Sequence, residues 1–176
     1  MEIWEAVSSM REFEDFKVIK ANVPEYDGTA HENLLSLCHD NVCGRYGTNW
    51  GCPPGFSEDV ETLYSQYSYV LVLRRMFCLD VKDQEVVDAA SIEMQRKVRM
   101  FVTELRSNGI NCRGFADGGC RYCGVCSYPD ECRYPEAMMG SVSALGLDLK
   151  SYLAGIGECF SFSSTCLTLY ALVFVK

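Results

Sequence analysis

The chain is short of histidine, of basic charge and of long apolar runs. It has two histidines, and 16 basic against 24 acidic side chains give a formal charge of −8. A nucleic-acid binder needs a basic footprint for the phosphates, so nucleic acid is not expected as a partner. No apolar run approaches the ~18 residues of a membrane span, so no membrane association is expected either. The opening Met1-Glu2-Ile3-Trp4-Glu5-Ala6 lacks the basic and apolar regions of a signal peptide. The expectation is a cytoplasmic, reducing setting, where clustered thiols are ligands or redox groups rather than disulfide staples. There is no phosphate-cradling P-loop, and Gly114 with Gly118 and Gly119 lacks the spacing of a dinucleotide fingerprint. Of the two histidines, His31 and His39, His39 is a candidate ligand because it adjoins Cys38, with a surface histidine as the alternative reading. No internal repeat or low-complexity stretch stands out.

What the chain does have is cysteine: 11 in 176 residues, an odd number that cannot close fully into disulfides. Four fall in the run Cys120-Arg121-Tyr122-Cys123-Gly124-Val125-Cys126-Ser127-Tyr128-Pro129-Asp130-Glu131-Cys132. Two intervening residues let a tight loop aim successive sulfurs at one centre, and Gly124 lets the backbone curl. The first three match the ferredoxin pattern C-x2-C-x2-C; the fourth comes two residues late, and Pro135 stands three places after it. A second group lies upstream: a glycine- and proline-rich loop at 41–55 holds Cys43 and Cys52, and Cys38 stands just before it.

Thiolates select zinc, cuprous copper or iron–sulfur clusters. Structural zinc sites pair two C-x2-C knuckles, whereas a close trio suits three corners of a cubane, so a [4Fe–4S] cluster is favoured and zinc is the alternative. Seven motif cysteines allow one cluster or two. By analogy with two-cluster ferredoxins, Cys132 is expected to join Cys38, Cys43 and Cys52, leaving Cys120, Cys123 and Cys126 to a second centre with an open position. The alternative is a single cluster ligated by the run Cys120, Cys123, Cys126 and Cys132, with the upstream cysteines lining it. Cys78, Cys112, Cys159 and Cys166 read as core residues, with Cys112 in reserve as a ligand. Tyr46, Trp50, Tyr122, Tyr128 and Tyr134 interleave the cysteines and are expected to shield a cluster from water.

At 48% hydrophobic and 23% charged, the 176 residues fit one globular domain with a core of its own. The pattern predicts a strand at 18–23 and a helix at about 30–39 with a capping box from Thr29 to Glu32. A helix capped by Ser57 follows, with Val60, Leu63, Tyr64 and Tyr67 on one face. Tyr69-Val70-Leu71-Val72-Leu73 reads as a strand buried on both faces, continuing towards Phe77. The clearest helix spans about 84–108, capped by Asp83, with Val87, Ala90, Met94, Val98, Phe101 and Leu105 inward. A strand at 111–116, helices at 135–146 and 148–156, alternation at Phe160-Ser161-Phe162 and a strand at 167–175 complete the order. The fold class is α+β, a single domain over 1–176, with helices packed on a small mixed sheet.

The segments Cys43-Gly44-Arg45-Tyr46-Gly47, Trp50-Gly51-Cys52-Pro53-Pro54 and Arg133-Tyr134-Pro135-Glu136, with the Cys120 run and Ala144-Leu145-Gly146-Leu147-Asp148, carry a resemblance that spans most of the chain. It resembles the cysteine-rich "predicted metal-binding" proteins of anaerobic bacteria and archaea. The resemblance implies a cluster-binding cytoplasmic protein and no catalytic residues. The expected function is an iron–sulfur redox protein that passes electrons to a partner protein. The alternatives are a cluster-dependent enzyme with an open iron acting on a small molecule, and a zinc-stabilised interaction module.

Overall fold

The computed structural model describes residues 1–160 and 163–176. Ser161 and Phe162 of the expected alternating segment therefore lie outside the described residues. A five-stranded sheet has the order β1-β2-β5-β3-β4, with β1 at Lys17–Ala21, β2 at Tyr69–Cys78, β3 at Cys112–Ala116, β4 at Gly140–Ser141 and β5 at Cys166–Val175. All pairings are antiparallel except β3 with β4. This is the expected α+β domain with a mixed sheet.

Val70, Leu71, Val72 and Leu73 have no exposed surface, as a strand covered on both faces requires. Leu71, Leu73, Ala171, Val173 and Val175 pack with Met94, Val98, Phe101 and Leu105 of the long helix α4, Gln84–Ser107. The short helix α1, Ile3–Ser8, adds Val7 to that layer. On the other face Val70, Val72, Tyr170, Leu172 and Phe174 meet Val60, Leu63 and Tyr64 of α3, Val60–Ser65, and Leu153 of α5, Leu149–Gly155. Three layers result, with a separate apolar core on each side of the sheet.

Helix caps shift two expected starts. Helix α2, Gly28–His39, begins at Asp27, whose carboxylate accepts the Ala30 N–H at 3.0 Å, in place of a Thr29 box. Asp59, accepting the Thr62 N–H at 2.7 Å, caps α3 in place of Ser57. A carboxylate one or two residues from the apolar face wins because it also meets the helix dipole. Asp83 caps α4 as expected, and Asp148 caps α5. Val87 is only half-buried, while Ser91 and Gln95 lie on the buried side of α4.

The helix expected at 135–146 does not form. Two 3-10 turns, Pro135–Ala137 and Ser143–Leu145, flank β4 instead. The Ser141 N–H donates to the Gly51 carbonyl at 2.8 Å and the Val142 N–H to the Ala116 carbonyl at 2.9 Å. Gly140 lies under the Phe115 ring, where a Cβ would stand 2.5 Å from the ring. These extended bonds take the N–H groups that a helix would need.

Candidate metal centre

Both cysteine loops gather where β3 ends and β4 runs along the sheet edge. One side chain ties them together. Asn49 is 4% exposed, and its Oδ1 accepts the N–H of Gly51 at 2.9 Å and the N–H of Cys120 at 3.1 Å. The fit is tight: a Cβ on Gly51 would stand 2.4 Å from the Met139 carbonyl, and one on Gly119 2.4 Å from Asn49 Nδ2. Trp50 adds a second tie, its ring N–H donating to the Asp130 carbonyl at 2.9 Å while its face meets Tyr128 edge-on.

Helix α4 anchors the second loop. Gln95 Nε2 donates to the carbonyls of Asp117 and Gly119, and its Oε1 accepts the Arg121 N–H at 3.1 Å. One turn earlier, the Ser91 hydroxyl donates to Asp117. Gly118 and Gly124 adopt left-handed backbone, φ 66° and 70°, which reverses the chain on either side of Cys120 and Cys123. Across the loop, Arg133 donates to the Val125 carbonyl and the Ser127 hydroxyl to the Glu131 carbonyl.

The seven motif thiols fall into two groups. Cys120, Cys123, Cys126 and Cys132 line one small cavity of about 10 Å³, closed by Trp50, Tyr122, Tyr134 and Met138. Tyr122 and Tyr134 meet edge-on at 5.2 Å, and Arg99 stacks on Tyr122. The Met139 N–H points at Cys120 Sγ, 3.4 Å away. Cys38, Cys43 and Cys52 line a second, open cavity of about 620 Å³ with Arg45, Tyr46, Asp88, Ser91, Asp117 and Arg121. The structure thus sets Cys132 beside the ferredoxin-like trio and not with the upstream cysteines, so the open side belongs to the upstream group.

The open cavity is polar. Arg121 and Arg45 approach the same Asp88 oxygen, at 3.1 and 3.7 Å. Burial raises the Asp117 carboxyl above its ordinary pKa against the Ser91 hydroxyl and both arginines. Burial pushes Cys38 up, and the Cys43 thiol adds to it. Burial likewise raises Cys52 against a hydrogen bond from Asn49, with Cys43 and Cys38 raising it further. Cys38 and Cys52 thus resist ionisation, and a bound cation would favour their thiolates.

All 11 cysteines are free. Among the described residues, no three His, Cys, Asp or Glu side chains converge closely enough to hold a single ion. The four-thiol donor set nevertheless suits a thiophilic group in kind, in a cavity that is small. Neither histidine lines either cavity. His31 Nδ1 pairs with the Leu145 carbonyl at 3.0 Å, and His39 packs against Tyr46. Of the expected core cysteines only Cys112 is buried; Cys166 is half-buried, and Cys78 and Cys159, at the sheet end and just after α5, are exposed.

A family model described as "Predicted metal-binding protein (DUF2284)" matches residues 25–175. No curated protein and no solved structure matches the chain.

Proposed function

Since the chain belongs to that predicted metal-binding family, we propose that it is an iron–sulfur redox protein that carries electrons to a partner. The observation that supports this best is that Cys120, Cys123, Cys126 and Cys132 all line one small cavity walled by aromatic rings. A cluster there would supply reversible electron uptake at a potential set by its hydrogen bonds and solvent exposure. Trp50, Tyr122, Tyr134 and Met138 wall the half-buried sulfurs, and the Met139 N–H is placed to stabilise charge on Cys120. Thiols that share walls without converging on a point suit a group with one iron per thiolate better than a single zinc ion. The charge of −8 favours a basic partner surface.

A second reading is an enzyme with an open centre on Cys38, Cys43 and Cys52. The roomy polar cavity on that side favours it, since its volume lies in the range of small-molecule sites. Catalytic metal sites keep a free position, and three thiols leave one. The test is anaerobic purification with iron and sulfide analysis. A brown protein with about four irons per filled cluster is expected, and Cys132→Ser should cost the iron of the four-thiol site only. Colourless protein with stoichiometric zinc that takes up no iron or sulfide would replace this proposal with a zinc module.

A further inference from the structure

Two cysteines outside both cavities face each other across the sheet. Cys78 closes β2, Cys166 opens β5, and they are directly opposed in the antiparallel register. The neighbouring Leu79 N–H donates to the Thr165 carbonyl at 3.1 Å, which makes 79 and 165 the hydrogen-bonded pair. Cys78 and Cys166 are therefore a non-hydrogen-bonded pair. Opposed residues there put their side chains on one face, with Cα atoms roughly 4.5 Å apart, inside the ~4.4–6.8 Å that a disulfide spans. Cys78 is exposed and Cys166 half-buried, so a small reagent reaches the first and the second is shielded beside it.

We propose that Cys78 and Cys166 form a reversible cross-strand disulfide by exchange with a low-molecular-weight disulfide such as oxidised glutathione. The Cys78 thiolate attacks the reagent and one thiolate leaves. The Cys166 thiolate then attacks Cys78 Sγ, and the second thiolate leaves. The two cysteine thiol protons end on the two leaving thiolates, giving two reduced glutathiones, and two electrons pass from the cysteine pair to the reagent. The bond closes the outer ends of β2 and β5, the longest pairing in the sheet, and needs none of the seven thiols of the cavities. The pair is thus a two-electron redox site independent of any metal.

The experiment treats anaerobically purified, metal-loaded Cys159→Ser protein with oxidised glutathione and maps non-reduced peptides. Removing Cys159 leaves the C-terminal tryptic peptide with a single thiol. The expected product is a Cys78–Cys166 linked pair that dithiothreitol reverses, with iron content unchanged and a higher thermal midpoint. With Cys166→Ser added, Cys78 should stop at the glutathione mixed disulfide. Cys78 found only as the mixed disulfide while Cys166 is present, or linked to a cysteine of either cavity, would overturn the proposal. Cys166 lies at the sheet end and Cys159 just after α5, and circular dichroism matching the parent's checks that the variants fold.

Discussion

The residue that holds the two loops together is Asn49, and nothing in its composition marked it. An asparagine in a glycine-rich loop reads as turn chemistry. Its role exists only because Cys120, remote in sequence, brings an N–H to its Oδ1. Removing that oxygen orphans two backbone donors, at about 1–3 kcal/mol each. Asn49→Ala should therefore lower the denaturation midpoint and loosen both loops at once, read as faster amide exchange at 40–56 and 117–134 together. Faster exchange in one loop with the other unchanged would contradict a shared anchor. Spacing singled out the seven cysteines, and the structure brings each of them to the wall of a cavity. Spacing left open whether Cys132 sits with its own run or with the upstream group, because that depends on how the 120–132 loop folds back. Gln95 and Ser91 did carry a signal: polar residues four apart on the apolar stripe of α4, a placement that asks for buried partners.

At the scale of elements, strong periodicity was reliable and weak periodicity was not. Helix α4 and strands β2 and β5 lie where their patterns put them, since long apolar faces must find a core. The helix expected at 135–146 had an apolar side but lost to the partners waiting at the sheet edge, Ala116 and Gly51. A further tie between elements is ionic. Glu158, just after α5 with its side chain 5% exposed, meets Lys17 of β1 and Arg74 of β2, the latter at 3.1 Å. The Lys17 hydrogen bond, aided by Arg74, holds its carboxyl below the ordinary value of 4.5 despite burial. A depressed folded pKa means that the contribution is complete above the unfolded pKa and is lost as pH falls through the folded one. Glu158→Gln should then cost about 1.5–3 kcal/mol near neutral pH. The gap from wild type should close as urea unfolding is repeated below pH 4.5. A gap that stays constant with pH would remove the ion pair as its cause.

For the whole molecule, the two apolar cores and the metal region are separable. The cores on either face of the sheet are built from α1, α3, α4, α5 and the strands. The loops contribute few buried apolar groups, chiefly Cys52 and Phe56. Stripping metal with a chelator should therefore speed amide exchange at 40–56 and 117–134 while α4, β2 and β5 stay protected. Equal protection with and without metal would mean that ligation does not order the loops. The sheet order carries one more consequence, for the timing of synthesis. β5 is the last strand made, yet it sits between β2 and β3. A chain emerging from the ribosome has all seven motif thiols exposed before the strand that joins its two halves has been translated. The β3–β4 edge that presents Cys120 cannot dock onto β1–β2 until then. A cofactor would therefore meet organised loops only once β5 has been made, and a message cut short before β5 would yield a product rich in unguarded thiols, with β1–β2 and β3–β4 left unjoined.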